Sequence, residues 1–144
     1  MINNFVGQYR FLSNFWSCFI YYEGDRYPSV ENAFQAAKCR NKEERSKFFH
    51  CKASEAKHLG RIVQLRDGWN EMRNKIMQEL VAQKFSVNPL RQLLLDTDNE
   101  QLEEGNWWGD TYWGTVNGAG ENHLGKIIML ERTKLLCEEP NLKN

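Results

Sequence analysis

The 144-residue sequence predicts a mostly helical, single compact domain (residues 1–144) with one short β element near its N-terminus. Three observations carry this. Apolar residues recur at helical spacing in separate stretches: Val30, Ala33, Phe34 and Ala37; Met72, Ile76, Met77, Leu80 and Val81; and Leu124, Ile127, Ile128 and Leu135. A single run, Phe19-Ile20-Tyr21-Tyr22, is rich in strand formers and ends in the turn signal Glu23-Gly24-Asp25. The length suits one domain with its own core, and a hydrophobic content of 41% against 26% charged is that of an ordinary globular chain.

The elements follow in order. Before residue 19, aromatics alternate with polar residues without a regular period. Phe19 to Tyr22 reads as a strand, with Arg26-Tyr27 returning as its partner. Pro28-Ser29 then opens a helix: Ser29 is a good N-cap, and Glu31 sits in the first turn, where the helix dipole favours an anion. Val30, Ala33, Phe34 and Ala37 form its apolar stripe, while Glu31, Gln35 and Lys38 form a second at i, i+4, i+7.

Residues 42–49 read as helical, and 54–60 as a short helix capped by Ser54 and stopped by Gly60. Ile62 to Leu65 is a strand or a connector. A long helix is expected over 69–85. Asn88-Pro89 caps another, with Leu90, Leu93 and Leu94 inward. A last helix spans about 122–137, and the polar tail from Glu138, with Pro140, is expected to fray.

Composition narrows function. The 19 basic and 19 acidic residues balance, which argues against a non-specific nucleic-acid binder. The N-terminus lacks a basic region followed by an apolar run, and no stretch reaches the length of a membrane span, so a cytoplasmic protein is expected. Four cysteines without a Cys-x-x-Cys pair read as reduced thiols. His50-Cys51, Cys39 and His58 match no zinc spacing, and neither a metal nor a cofactor is expected.

Three of the five tryptophans crowd into Trp107-Trp108-Gly109-Asp110-Thr111-Tyr112-Trp113, a segment whose glycines, Asn106 and Asp110 mark an irregular loop. Such rings either cap a core or stack on a flat ligand. Asp110 either caps its own turn or supplies a carboxylate for chemistry. Glu31 reads two ways as well: a solvated helix face, or a carboxylate held in one orientation by Gln35 and Lys38 for acid–base or charge-stabilising work. Paired carboxylates on an aromatic pocket suit cleavage of a glycosidic bond.

Gly120 to Lys126 has the Gly-x-x-x-x-Gly-Lys spacing of a phosphate loop, but Ile127 replaces the metal-binding hydroxyl, and no convincing strand precedes it. What survives is a glycine-led helix start, at Gly120 and Asn122, able to offer N–H groups to phosphate; Asn122 is equally an N-cap. Arg10, Ser13 and Asn14, set among aromatics, suit a phosphate or ribose, or local turn bonds.

These segments together resemble the NADAR (NAD- and ADP-ribose-associated) family, also called YbiA-like. The matching pieces are Phe11-Leu12-Ser13-Asn14-Phe15, Tyr27-Pro28-Ser29-Val30-Glu31-Asn32-Ala33-Phe34-Gln35-Ala36-Ala37-Lys38, Ala56-Lys57-His58-Leu59-Gly60-Arg61, Leu65-Arg66-Asp67-Gly68-Trp69, Lys84-Phe85, Asp110-Thr111-Tyr112-Trp113-Gly114, and Gly120 to Lys126. They run through nearly the whole chain in order. The resemblance implies a compact, mostly helical fold and an N-glycosidase. Its substrates would be phosphoribosylated riboflavin-pathway intermediates or ADP-ribosylated guanine, free or in DNA.

On that resemblance the catalytic glutamate falls on Glu31, the acid of the Asp-x-x-Trp-Gly segment on Asp110, an important tryptophan on Trp69, and a ring-opening amine on Lys38. Here Asp67-Gly68-Trp69-Asn70 departs from the family's Asp-Trp-Glu by an inserted glycine. Substrate contacts would come from Phe11, Phe34 and Gln35 in the matched segments, from Trp108 and Trp113, and from Arg10, Ser13, Asn14, Gly120 and Asn122. Glu31 is then expected across a pocket from Asp110. A module that binds ADP-ribose or NAD without turnover is the alternative; it needs the aromatic residues but not the acids.

Overall fold

The structure, a computed structural model, describes residues 1–142. The chain forms two compact units, one from Asn14–Lys84 and one from Met1–Ser13 together with residues from Phe85 onward.

In the Asn14–Lys84 unit, β1 (Ile20–Tyr22) pairs antiparallel with β2 (Asp25–Tyr27) in the register Ile20–Tyr27, Tyr21–Arg26, Tyr22–Asp25. Glu23 and Gly24 both take positive φ, 50° and 81°, the two-residue mirror-image turn whose twist matches a hairpin. The open edge of β1 is closed by a side chain. The Gln83 amide accepts the Tyr21 N–H at 2.9 Å and donates to the Tyr21 carbonyl at 2.7 Å, as a third strand would.

Helix α1 (Val30–Ala37) starts as its sequence predicts, with the Ser29 hydroxyl accepting the Asn32 N–H. All eight of its residues are buried. Both hairpin strands, α2 (Lys42–Arg45), the 3-10 turn Ser46–Phe48, α3 (Ala53–Leu59) and α4 (Trp69–Lys84) pack around it. Burying Phe34 alone contributes about 2–3 kcal/mol. The Asn32 side chain inside this shell is satisfied internally. Asn32 accepts from the Ser29 hydroxyl and donates to the carbonyls of Phe48 and Cys51 at 3.0 and 2.8 Å, tying α1 to the 46–51 turn.

One expectation changes here, and one open alternative is resolved. α3 begins one residue before Ser54, with Lys52 at its N-cap and no side-chain cap, so Ser54 lies inside the helix. Residues 62–65 form no strand: Ile62 and Leu65 are exposed, and the segment is a connector.

The other unit holds a 3-10 helix (Gly7–Leu12), α5 (Leu90–Leu95) and α6 (His123–Leu142). The N-terminal strand-like segment is pinned to residues 101–103 by Ile2 N–H to the Gln101 carbonyl and Glu103 N–H to the Ile2 carbonyl, both 2.9 Å. α5 packs on α6 through Leu90, Leu94 and Leu95, which leaves Leu93, expected inward, on the exposed side. α6 buries Leu124, Ile127, Ile128 and Leu135 as its period requires. Its bounds extend to Leu142, and Arg91 of α5 reaches Glu138 and Glu139 at 3.4 and 3.5 Å. Residues 143–144 of the expected tail lie outside the described ones. No helix among the described residues is long and apolar enough to cross a membrane.

Candidate active site

In the Asn14–Lys84 unit the chemistry-bearing residues sit on α1. The Glu31 N–H donates to the Asn14 carbonyl at 3.0 Å, which fixes the first turn. One turn on, the Gln35 amide donates to Glu31 Oε1 at 2.9 Å. Both side chains are only 8% exposed. The solvated-face reading of this stripe therefore does not hold: the carboxylate is buried, and an amide one turn away orients it. A carboxylate only accepts, so the amide must present its nitrogen.

Gln35 is positioned in turn by Gly60. An added Cβ on Gly60 would stand 1.8 Å from Gln35 Oε1 and 2.5 Å from its Cδ. Gly60 closes α3 as expected, but with an ordinary right-handed φ of −62°, so conformational freedom is not why a glycine stands there. It is the absent side chain that lets the Gln35 amide lie against the end of α3.

Lys38 caps α1, and its ammonium points to the Gly60 carbonyl at 3.5 Å. Burial lowers its pKa; the Glu31 charge opposes this, and the Arg61 and Arg73 charges add to it. A lysine in this state reaches its neutral, nucleophilic form more readily than an exposed one.

Trp69 and Phe34 form the apolar backing. Their rings lie 5.1 Å apart at 51°, and both are buried, at 6% and 3% exposure. Trp69, the tryptophan that the resemblance marks as important, is a packed residue against Phe34 of α1. Asn14 contributes its carbonyl to Glu31, while its own amide rests on the Met77 sulfur at 3.6 Å.

In the other unit, the tryptophan loop is built on polar staples. Asn106 accepts the Asp110 N–H at 3.0 Å and donates to the Asp110 carbonyl at 2.8 Å. Asp110 Oδ1 accepts the N–H groups of Tyr112 and Trp113 at 3.0 and 2.9 Å, so the turn-capping reading of this residue is present in the fold. Its Oδ2 keeps no protein partner among the described residues. The rings are not a solid core. Trp107 is 87% exposed and meets Trp108 edge-on at 5.6 Å. Tyr112 lies against His123 at 4.3 Å and against Trp113 at 4.9 Å. A groove of about 720 Å³ opens beside Trp107 and Trp108, lined also by Ser13, Glu103, Glu104 and Asn106.

The expected phosphate site at the start of α6 is corrected. The N–H groups of Glu121, Asn122, His123 and Leu124 donate to the carbonyls of Thr111, Gly114, Tyr112 and Trp113. The tryptophan loop takes the donors that an anion would need. The buried Asn122 side chain accepts the Glu104 N–H at 3.0 Å and donates to the Leu102 carbonyl at 2.9 Å. Gly120 packs so closely on Gly114 that a Cβ would meet its carbonyl at 2.4 Å. Both residues anchor the loop to the helix. Phe11 is core, 5% exposed, and Arg10 is a surface residue of the 3-10 helix. The sequence reading gave Gly60, Asn106, Arg61 and Arg73 no role in the site: Gly60 stood out only as a helix stop, and Asn106 only as an Asx residue among loop glycines.

Comparison with known proteins adds the following. A NADAR domain model matches residues 4–136. The chain is 36% identical over 135 residues to an N-glycosidase of Nostoc punctiforme, covering 88% of this chain and 86% of that protein. It is 32% identical over 136 residues to the N-glycosidase YbiA of Escherichia coli, covering 91% and 84%. It is 35% identical to a riboflavin biosynthesis protein of Vibrio vulnificus, of whose length it spans only 36%. The NMR structure of the E. coli protein YbiA superposes with a TM-score of 0.83 at 31% identity, over 96% of this chain and 87% of that one.

Proposed function

The chain belongs to the NADAR family and is an N-glycosidase acting on ribosylated substrates, and from that premise we propose that Glu31 carries the hydrolysis. The observation behind this is the buried Glu31 carboxylate, fixed at its backbone by Asn14 and at its side chain by Gln35. Cleaving an N-glycosidic bond places positive charge on the anomeric carbon, and a pre-oriented carboxylate stabilises that charge without reorganising. The same group accepts a proton from the attacking water. A module that only bound ADP-ribose would have no use for a buried carboxylate held this way.

Lys38 receives the second role. Its neutral amine adds to C1 of a ring-opened riboside, and the base leaves with its nitrogen and a proton. Water then hydrolyses the lysine imine, returning the amine and releasing the sugar. Within its own unit, Asp110 organises the tryptophan loop through Oδ1, and Trp108 and Trp113 give that loop faces on which a flat ring can stack. The substrate is a phosphoribosylated or ADP-ribosylated small molecule or base; the balanced net charge favours a free metabolite over modified DNA.

The deciding experiment is a hydrolysis panel of phosphoribosylamino-pyrimidine, ADP-ribosyl-guanosine and ADP-ribosylated single-stranded DNA, scored by free base. Release from one class by wild type and its loss in Glu31→Gln support the reading. Release at the wild-type rate by Glu31→Gln removes it.

A further inference from the structure

The groove beside Trp107 has no part in the roles given to Glu31 and Lys38. It holds about 720 Å³, and every residue lining it belongs to the unit formed by Met1–Ser13 and the residues from Phe85 onward. That is the size of a site for a small organic molecule. One wall is aromatic. Trp107 is 87% exposed and stands edge-on to Trp108 at 5.6 Å and 83°, so two indole faces meet at a corner. Val6, also exposed, extends this apolar surface. An indole left this far in water contributes little to the fold by burial, and an apolar surface rimmed by polar residues marks a place of binding. The polar wall is acidic. Glu103 and Glu104 line the groove, and no lysine, arginine or histidine does. The hydroxyl of the buried Thr115 donates to Glu103 Oε1, and the Asn106 amide donates to Glu104 Oε2 at 3.2 Å. Both donors are uncharged, so these bonds orient the carboxylates without neutralising them. The α-amino group of Met1, which also lines the groove, pairs with Glu100 at 2.6 Å.

We propose that this groove binds an organic polyammonium ion, with its alkyl chain on the Trp107 and Trp108 rings and its ammonium groups facing Glu103 and Glu104. An indole face attracts a cation through its quadrupole, and an alkylammonium brings an apolar stem that covers the ring. The carboxylates supply the matching charge. A neutral ring would need the indoles alone and would leave the carboxylates without a counter-charge. Both carboxylates oppose an anion, so the groove does not take the phosphoryl end of a ribosyl substrate. A bare divalent metal ion fits no better. It needs several oxygen ligands converging on one point, and among the described residues no three His, Cys, Asp or Glu side chains gather in that way. Two carboxylates with no cationic side chain beside them favour a ligand carrying more than one positive charge.

The test is titration of the full chain with spermidine and with 1,4-butanediol, an uncharged chain of similar character, followed by calorimetry and by tryptophan emission. Spermidine is expected to bind, to change the emission and to raise Tm, and butanediol to do none of these. Spermidine affinity should fall as salt is raised, because the paired charges lie in an open groove. Trp107→Ala and Glu103→Gln should each weaken spermidine binding by about three- to thirty-fold. Thermal melts of both variants check the fold. If Trp107→Ala does not fold, the nearly isosteric Glu103→Gln decides alone. A loss of affinity in either folded variant supports the groove. Butanediol binding as tightly as spermidine overturns the proposal, and so does spermidine affinity undiminished in every folded variant, which would place the amine on some other acidic surface. Binding needs no turnover, so the result stands whether or not Glu31 carries the hydrolysis.

Discussion

The Gln35 amide donates to the Glu31 carboxylate at 2.9 Å across one turn of a helix with no exposed residue. Glu31→Gln swaps the carboxylate for an amide of nearly the same shape, so it isolates charge from packing. It should lower kcat by about a hundred- to ten-thousand-fold, with a melting temperature close to wild type. Base release under saturating substrate, beside a thermal melt, reads both.

Gly60 extends that relationship one step outward. Gly60→Ala puts a methyl where Gln35 Oε1 lies, and the amide cannot move aside without leaving Glu31. The expected outcome is a fall in kcat greater than the change in KM. In a Gln35→Ala background the same substitution should cost little more, because the group it displaces is gone. A double-mutant cycle measures this coupling, and additive effects would show that Gly60 acts elsewhere.

How much of this could be read in advance follows from the range of each interaction. The Ser29 cap, the apolar stripe of α1 and the hairpin turn depend on residues within four positions of one another, and all three were legible. Gly60 was legible as a helix stop but not as a neighbour of Gln35, because 25 positions separate the two (60 − 35) and no periodicity links them. The start of α6 shows the same limit from the other side. Its glycines and Asn122 have the composition of a phosphate site, yet the donors are used by carbonyls eight to eleven residues earlier. Local pattern identifies an available N–H, and only the fold shows what takes it.

Asn122 therefore makes a clean test of that correction. Removing its side chain leaves the Glu104 N–H and the Leu102 carbonyl without their partner in a buried place. Asn122→Ala should destabilise the protein by about 1–3 kcal/mol. KM for a phosphorylated substrate should stay near wild type at temperatures where the variant is folded. Urea unfolding and steady-state kinetics separate the two effects, and a rise in KM without loss of stability would restore the binding role.

Lys84 gives the fold its own pH dependence. It is 2% exposed, and burial brings its pKa from 10.5 down to about 7, with the nearby Cys18 thiol acting in the opposite direction. In the unfolded chain it titrates at its ordinary value, so between pH 7 and 10.5 the unfolded state binds the extra proton. Stability gained from this residue must then rise with pH across that window, by about 1.4 kcal/mol per unit. Below pH 7 both states are charged, and the penalty of burying the ammonium is present in full; above 10.5 it has vanished. Lys84→Met removes the titration and keeps an apolar stem of similar length. Its stability relative to wild type should be most favourable near pH 7 and should decline steadily toward pH 10. Urea denaturation at unit pH steps measures the difference. The Cys18 thiol, pushed up by burial, is present in both proteins and largely cancels. A gap that stays constant from pH 7 to 10 would mean that the lysine remains charged in the folded protein.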